Sequence, residues 1–278
     1  MLGQDVVAEL KRRGHDVSTP SSREIDLTEP QSIARITELG RFDWCVNCAA
    51  YTAVDKAEEE EQKAAELNSI GPGYLARVCA MSGIKLLHVS TDFVFDGAAT
   101  TPYDEDASTR PLGVYGKTKL LGEEAIQAAL PMAVIVRTAW LFGAKGKSFP
   151  RTMIGAWKAG KTLKVVADQV GCPTYTGDLA RTIVDATESN LFPGIYHAVG
   201  PVSMSWHAFA LKAIEAYRSH HDLSQPVEIE PILTEQWPTP ATRPLYSVLS
   251  TAKLQAAGIA PMRHLDAALA EFVAQLDD

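Results

Sequence analysis

Apolar and polar residues follow one another along this chain in blocks that predict helices separated by buried strands. Near the start, Val6, Val7 and Leu10 recur at helical spacing, and the basic run before Gly14 is typical of a helix end. A turn and a helix are predicted at 23–40, with Thr28 as the N-cap of that helix, and further helices are predicted at 58–83 and 113–130. Continuous apolar runs, typical of parallel strands buried on both faces, occur at 42–50, 84–97 and 132–143, and a shorter strand is predicted at 14–22.

Strands that alternate with helices predict an α/β fold, a Rossmann-like doubly wound parallel sheet. The alternation runs to about residue 143, so we predict one domain at 1–143 and a further portion at 144–278. Some later segments are expected to return to the first domain. The second part has more prolines and tryptophans, and we expect a smaller α/β portion over the strand ends, where ligands of such sheets bind.

One glycine, Gly3, stands in the first turn of the opening helix, with only Met1 and Leu2 before it. Such a glycine is ordinary at a phosphate-binding turn, where it follows a buried strand and further glycines. In a doubly wound sheet the first strand lies in the middle, and its absence leaves backbone groups unpaired. We therefore expect that the sequence begins at an internal methionine and that roughly ten residues, a strand and a turn, precede it.

Composition excludes several classes of function. A chain of 278 residues, 46% of them hydrophobic, can bury a large core in one or two domains. The net charge of −8 argues against nucleic acid as the main partner, because phosphate backbones bind basic surfaces. No apolar run has transmembrane length and no signal peptide is visible, so we predict a cytoplasmic protein without a membrane partner. Cys45 and Cys48 have C-x-x-C spacing but no second pair, so we interpret them as core thiols and predict no metal.

The strongest chemical signal is the pair Tyr115 and Lys119 in the predicted helix at 113–130. Residues four apart share one face of a helix, with Cβ atoms about 5–6 Å apart. An ammonium beside a phenol favours the phenolate, so we expect Lys119 to lower the pKa of Tyr115. Such a tyrosine can donate a proton to an oxygen that gains negative charge. By itself the Y-x-x-x-K spacing is weak evidence, since it occurs in many proteins by chance.

Two neighbouring stretches strengthen this prediction. The strand at 84–97 contains Ser90, Thr91 and Asp92, and a hydroxyl at the carboxyl end of a parallel strand faces the ligand crevice. There it could hydrogen-bond the same carbonyl oxygen that the tyrosine protonates. The preceding strand ends in small residues within NCAAYT (47–52), which let a flat cofactor approach the backbone closely.

Together these stretches resemble the extended short-chain dehydrogenase/reductases and, more narrowly, the family of dTDP-4-dehydrorhamnose reductases. The resemblance covers almost the whole chain and is carried by CVNCAAYTAVDKAEEE, STDFVFDG, YGKTKLLGE, RTAWLFG, VVADQVGCPTYTGDLA, GIYHAVG and ATRPLYSVL. It implies that 1–143 is the dinucleotide-binding domain and that 144–278 mainly binds substrate. The implied activity is NAD(P)H-dependent reduction of dTDP-4-dehydro-L-rhamnose to dTDP-L-rhamnose. Gly3 resembles the last glycine of the family's G-x-x-G-x-x-G turn.

The resemblance also implies roles for individual residues. Tyr115 is matched to the proton donor, Lys119 to the group that tunes it and holds the nicotinamide ribose, and Thr91 to the group that polarises the keto oxygen. Thr91, Asp92 and Trp140 are the implied substrate contacts. The implied cofactor contacts are Leu2, Gly3, Asp26, Leu27, Ala50, Tyr51, Thr52, Tyr115 and Lys119.

Three positions depart from the family's pattern. Phe93 stands where tyrosine is common, which removes a hydroxyl near the sugar, and Ser148 replaces a common asparagine. The predicted strand at 14–22 is followed by Arg23, and no carboxylate is present there to hold a ribose 2′-hydroxyl. This favours NADPH over NADH as the cofactor.

Two alternatives remain open from the sequence. One is another nucleotide-sugar epimerase or dehydratase of the same superfamily. The other is a non-catalytic regulatory subunit that resembles the one of methionine adenosyltransferase. For the reductase we expect a small nucleotide-sugar substrate, and a monomer or a homodimer.

Overall fold

Strands and helices alternate through the computed structural model, which describes residues 1–276. The strands are β1 (Trp44–Asn47), β2 (Lys85–Thr91), β3 (Val134–Thr138), β4 (Leu141–Phe142), β5 (Leu163–Val166), β6 (Val170–Gly171), β7 (Thr174–Tyr175), β8 (Gly194–His197), β9 (Met204–Ser205) and β10 (Ile229–Ile232). The helices are α1 (Leu2–Arg12), α2 (Pro30–Ala34), α3 (Val54–Ala57), α4 (Glu61–Ala65), α5 (Gly71–Ser82), α6 (Val114–Ala129), α7 (Phe149–Lys158), α8 (Thr176–Glu188), α9 (Trp206–His220), α10 (Ala252–Ala256) and α11 (Leu265–Ala274).

The main sheet has the order β1-β2-β3-β8, and its neighbouring strands pair in parallel. Helices cover both faces. On one face α1 and α8 bury Val6 and Ile183 against Leu87 of β2. On the other, α5 and α6 bury Leu75 and Ile126 in a core with Leu86. This arrangement confirms the predicted α/β fold with a parallel sheet.

Apart from the core on the two faces of the main sheet, a second core forms beyond β3. It joins α7, α9 and α11 through Trp157, Phe209, Leu269 and Phe272. From the same half of the chain, α8 and β8 pack into the main sheet rather than into this second core. The division at residue 143 stays a prediction. None of the helices within residues 1–276 is long and apolar enough to cross a membrane.

Two local predictions were wrong. The strand predicted at 14–22 is not formed, and residues 15–21 are neither helix nor strand. Val17 is the only aliphatic residue in that stretch, and Pro20 lacks the N–H that a sheet ladder requires. Thr28 is not a helix cap either: α2 begins at Pro30 after Glu29, and the Thr28 N–H donates to Asp26 Oδ1 at 2.9 Å.

The C-x-x-C pair lies in and just after β1. Cys45 packs with the α5 and α6 core, and its thiol hydrogen-bonds Cys79, whereas Cys48 packs with the α1 and α8 core. Because side chains alternate between the faces of a strand, residues three apart point to opposite faces. All four cysteines have free thiols, which confirms the interpretation as core thiols.

The close approach of α6 to the sheet depends on two glycines. A Cβ at Gly116 would lie within 2.2 Å of the Phe93 carbonyl oxygen, just after β2. A Cβ at Gly122 would lie 2.0 Å from the Asn68 carbonyl oxygen, in the π-helical segment Glu66–Ile70. The absence of side chains at these two positions lets α6 bring Tyr115 and Lys119 to the end of β2.

Candidate active site

A hydroxyl pair lies where β2 ends and α6 begins. Thr91, 5% exposed, donates through Oγ1 to Asp92 Oδ1 at 3.0 Å and accepts from the Phe93 N–H at 3.2 Å. Thr91 also acts on the phenol of Tyr115, whose pKa its hydroxyl lowers. The Phe93 ring meets the Tyr115 ring edge-on, with centroids 5.5 Å apart. The structure therefore brings together Thr91, Asp92 and Tyr115, three of the residues that the sequence analysis selected.

The expected lowering of the Tyr115 pKa was wrong. Burial raises this pKa to about 12, the charge of Asp92 also raises it, and only the hydrogen bond with Thr91 acts in the opposite direction. Lys119 lies on the same face of α6, but its Nζ donates to the Val89 carbonyl oxygen at 2.7 Å and contacts His88 Nε2 at 3.1 Å. Spacing along a helix fixes the face of a side chain and not the direction of its last atoms.

Lys119 is itself an unusual group, because its side chain is only 1% exposed. Burial lowers its pKa to about 8, although Glu123, one turn further along α6, acts to raise it. Glu123 is paired in turn with Arg137 of β3, with Nη2 to Oε2 at 2.7 Å and Nε to Oε1 at 3.0 Å. Ser90 donates to the same carboxylate at 2.5 Å. A lysine in this environment titrates near neutral pH, which suits proton transfer.

The residues matched to cofactor contacts lie around the ends of α1 and β1. Leu2 is buried in the core, and Gly3 lies beside Cys48, where an added Cβ would be 3.6 Å from the Cys48 Cβ. The first turn of α1 thus meets the stretch that continues into Ala50, Tyr51 and Thr52. Free N–H groups at a helix start and small neighbouring residues suit the phosphates of a dinucleotide. These residues could hold a nicotinamide cofactor.

Asn68, which is fully buried, fixes this loop to the candidate active site. The Tyr51 N–H donates to Asn68 Oδ1 at 2.8 Å, and Asn68 Nδ2 donates to the Tyr51 carbonyl oxygen at 3.1 Å and to Thr118 Oγ1 at 3.2 Å. Thr118 belongs to α6, between Tyr115 and Lys119. The sequence analysis missed Asn68, because Glu66 and Ser69 lie close to it in the sequence and nothing there distinguishes the one buried polar residue.

Asp26 and Leu27 have different environments. Leu27 is buried in the core, so it can offer a ligand only its backbone. The half-buried Asp26 accepts from the Thr28 N–H and hydroxyl, which lowers its pKa, and it lines a cavity of about 660 Å³. The other residues around this cavity are Ser22, Thr28, Glu59, Glu60, Glu61, Gln62, Lys63, Glu66 and Leu67. Arg23, on which the NADPH preference was predicted, is exposed and does not line it.

Trp140 lies two residues after β3, with its backbone in the left-handed region at φ +46°. A bulky residue in this conformation is strained, and such strain concentrates at functional sites. Its indole stacks on that of Trp206 with centroids 3.5 Å apart and planes 6° apart. Trp206 is a second aromatic that the sequence analysis did not select.

Ser148, another position that departs from the family's pattern, precedes α7. Its hydroxyl donates to the Gly143 carbonyl oxygen at 3.4 Å.

Asp92 is expected to make the protein less stable above pH 6. Its side chain is buried, and burial raises its pKa to about 6 against hydrogen bonds from Ser247 and Thr91. An acid with a raised pKa binds its proton more tightly in the folded state, so stability falls as pH rises from about 4 to about 6. The loss is about 3 kcal/mol. We expect Asp92→Asn to regain that amount at pH 7.5 and to remove this pH dependence, measured by urea unfolding.

Asp96 provides the matched control. It accepts hydrogen bonds from the Ala98 N–H and the Tyr103 hydroxyl, which lower its pKa. A lowered pKa reverses the sign, so Asp96→Asn should reduce stability at pH 7.5. If both variants change stability in the same direction, the raised pKa of Asp92 is not the cause.

No group of three or more His, Cys, Asp or Glu side chains within residues 1–276 is placed to hold a metal ion. The polar atoms of this region come instead from hydroxyl, amine, imidazole and carboxyl groups packed between β2 and α6. His88, Glu123 and Arg137 are buried members of that set which the sequence analysis did not select. Strand alternation was the available signal, since His88 and Ser90 lie two apart on the face towards α6.

Comparisons with known proteins identify relatives along almost the whole chain. Residues 1–277 match the family model described as the RmlD substrate binding domain. The chain is 40% identical over 276 residues to the dTDP-4-dehydrorhamnose reductase of Mycolicibacterium smegmatis, covering 99% of this chain and 82% of that protein. A dTDP-4-dehydrorhamnose reductase structure from Clostridium acetobutylicum superimposes with a TM-score of 0.93 at 36% identity, covering 100% of this chain and 96% of that one.

A second solved structure contains a cofactor. The dTDP-4-dehydrorhamnose reductase of Bacillus anthracis, in complex with NADP, superimposes with a TM-score of 0.91 at 34% identity, covering 99% of this chain and 95% of that one. A family match along almost the whole length, together with relatives above 30% identity, identifies the family. The chain belongs to the RmlD substrate-binding domain family, whose members among these relatives are dTDP-4-dehydrorhamnose reductases.

Proposed function

We propose that this protein reduces dTDP-4-dehydro-L-rhamnose to dTDP-L-rhamnose with NADPH, and that Tyr115 donates the proton. The observation that carries the proposal is the placement of Thr91 and the Tyr115 phenol together at the carboxyl end of β2, with the buried Lys119 one turn further along α6. Ligands of doubly wound sheets bind at these strand ends. The full-length relatedness to reductases of this substrate supports the same reaction.

In this mechanism the chain supplies the proton and stabilises the charge. A bound nicotinamide cofactor supplies the hydride that reduces carbon 4 of the sugar. Thr91 donates a hydrogen bond to the keto oxygen, and Tyr115 transfers its phenolic proton to that oxygen as negative charge develops on it. The Lys119 ammonium, one helical turn away on α6, is proposed to favour the phenolate that remains. Donors placed at this oxygen act mainly in the transition state.

Other residues bind and orient the two ligands. The first turn of α1, with Leu2 and Gly3, and the loop Ala50–Thr52 are proposed to contact the cofactor. Asp26 and Leu27 are proposed at its adenine end, and Lys119 at its nicotinamide ribose. Asp92 and Trp140 are proposed to contact the sugar. NADPH is favoured over NADH by the relative solved in complex with NADP.

A direct assay tests the proposal. NADPH oxidation, followed at 340 nm with dTDP-4-dehydro-L-rhamnose as substrate, should be faster than with NADH, and the product should coelute with dTDP-L-rhamnose. Because the Lys119 pKa lies near 8 and its ammonium assists Tyr115, kcat/KM should fall as pH rises through about 8. The proposal fails if no NADPH is consumed by a preparation that binds the cofactor.

The same preparation tests the two alternatives. An epimerase or dehydratase returns the hydride to its own substrate, so cofactor would stay bound through purification and no net oxidation would follow. A regulatory subunit would bind its partner enzyme without turnover.

We further propose that the protein works in the cytoplasm as a monomer or homodimer. The four free thiols support the proposed compartment, because thiols stay reduced in the cytoplasm.

A further inference from the structure

A fully buried histidine, His88, connects Lys119 to the end of β1. Its Nε2 lies 3.1 Å from Lys119 Nζ, and its Nδ1 lies 3.0 Å from Asn47 Nδ2. Asn47, opposite His88 in the strand register, is 5% exposed. Its Oδ1 accepts from the Ala49 N–H at 3.0 Å. The imidazole thus has a defined neighbour on each ring nitrogen, and neither neighbour is solvent.

The hydrogen atoms of this chain of contacts can be assigned from its fixed end. The Ala49 N–H requires an acceptor, so the Asn47 oxygen faces it and the Asn47 NH₂ donates to His88 Nδ1. A neutral imidazole that accepts at Nδ1 carries its proton on Nε2. That N–H points at Lys119 Nζ, which can accept it only as a neutral amine. An ammonium at Lys119 would place one of its hydrogen atoms against the hydrogen atom on His88 Nε2. These contacts therefore disfavour the ammonium form of Lys119.

We propose that His88, oriented by Asn47, is a positioning residue for Lys119: it holds the amine against the Val89 carbonyl oxygen and disfavours the ammonium form. This inference rests on the proposed function, because it assigns His88 to the reaction of Tyr115. The consequence is that Lys119 exchanges its proton readily as the charge on Tyr115 changes during the reaction. Neither the Y-x-x-x-K spacing nor the Thr91 contact requires His88.

Other ionisable groups also act on Lys119. Glu123 of α6 favours the ammonium, and Arg137 of β3 pairs with that carboxylate. Cys48, after β1, acts to raise the pKa of Lys119, and Tyr115 lies one turn before Lys119 on α6. A test therefore has to separate an effect transmitted through His88 from a direct effect of charge.

A double-mutant cycle achieves that separation. Asn47→Asp keeps an oxygen for the Ala49 N–H and replaces the donating NH₂ by an acceptor, so His88 must carry its proton on Nδ1 and accept from Lys119 through Nε2. His88→Gln keeps a polar group near Lys119 but cannot change tautomer. The readout is the titration midpoint of the Lys119 ammonium by NMR of lysine side chains, in wild type, both single variants and the double variant. Lys119→Gln assigns the signal.

Asn47→Asp should raise the Lys119 midpoint by roughly one pH unit in the wild-type background and by little with Gln at position 88. The alkaline limb of kcat/KM should move with the midpoint. An equal shift in both backgrounds overturns the proposal, because the new charge then acts directly. In wild type, the ¹⁵N shifts of the His88 ring should show the proton on Nε2, and a proton on Nδ1 overturns the proposal without any variant.

The titrations use the protein alone, without substrate or cofactor. They can therefore succeed when the sugar reductase assay fails, which would overturn the proposed function and leave the role of His88 intact. The converse result, reductase activity without the tautomer-dependent shift, would overturn the role of His88 and leave the proposed function intact.

Discussion

Tyr115→Phe is expected to lower kcat for the reduction of dTDP-4-dehydro-L-rhamnose by about 10³-fold, because it removes the proton donor and keeps the ring. The phenylalanine retains the edge-on contact with Phe93, so the local packing should be preserved. Affinity for NADPH, measured by fluorescence titration, should stay within about threefold, since the variant removes an interaction made mainly in the transition state.

Tyr74 provides the control for this substitution. It lies on α5, is 36% exposed, and has Arg77 beside its ring rather than a group of the candidate site. Tyr74→Phe should leave kcat unchanged. Turnover by Tyr115→Phe at the wild-type rate would refute the role of Tyr115 as proton donor, and an equal loss in both variants would point to a general effect on folding.

The pKa of Tyr115 determines how its pH dependence should be interpreted. With burial raising that pKa to about 12, the phenol stays protonated throughout the range in which the enzyme can be assayed. A raised pKa makes the phenol a poor acid towards water, but the alkoxide formed by hydride transfer is a stronger base than the phenolate. Proton transfer is thus downhill only once the hydride has moved. The alkaline limb expected near pH 8 reports Lys119 rather than Tyr115.

The sequence predicted the structure correctly where a pattern of residues is compatible with only one arrangement of the chain. The mainly apolar runs at 42–50, 84–97 and 132–143 contain β1, β2 and β3, because strands covered by helices on both faces are rich in apolar residues. The hydroxyl of Thr91 lies beside Tyr115 because parallel strands end at one edge of the sheet and α6 packs against that edge. These two inferences needed no side-chain detail.

Other predictions failed because they depended on tertiary neighbours. Residues 14–22 suggest a strand because β-forming residues there are bounded by turn residues. Strand formation also requires a neighbouring strand to pair with, which local sequence does not reveal. The expected direction of the Tyr115 pKa shift was wrong because burial raises this pKa, while the Lys119 Nζ contacts His88 and Val89. His88 itself lies in an apolar run, and only the structure shows that both ring nitrogens have neighbours.

The buried ion pair behind Lys119 should give the largest change in stability. Arg137 and Glu123 are 2% and 1% exposed and form three hydrogen bonds, and the Arg137 guanidinium also lies 5.2 Å from the centroid of the Phe95 ring. Arg137→Met leaves the Glu123 carboxylate buried without its counter-charge. Removing one partner of a buried pair costs about 3–5 kcal/mol. Urea unfolding should show this loss, and Tm should fall by roughly 8–15 °C.

Two further variants distinguish an unpaired charge from lost packing. Glu123→Gln combined with Arg137→Met removes both charges, so most of the stability should return, because a buried pair contributes little more than apolar residues of similar volume. Lys212→Met breaks an exposed pair with Asp266 and should change stability by less than about 1 kcal/mol. If the double variant is as unstable as Arg137→Met, packing of the arginine stem is the larger contribution.

Because Glu123 also favours the ammonium form of Lys119, the double variant should move the alkaline limb of kcat/KM to lower pH, even where its stability is restored.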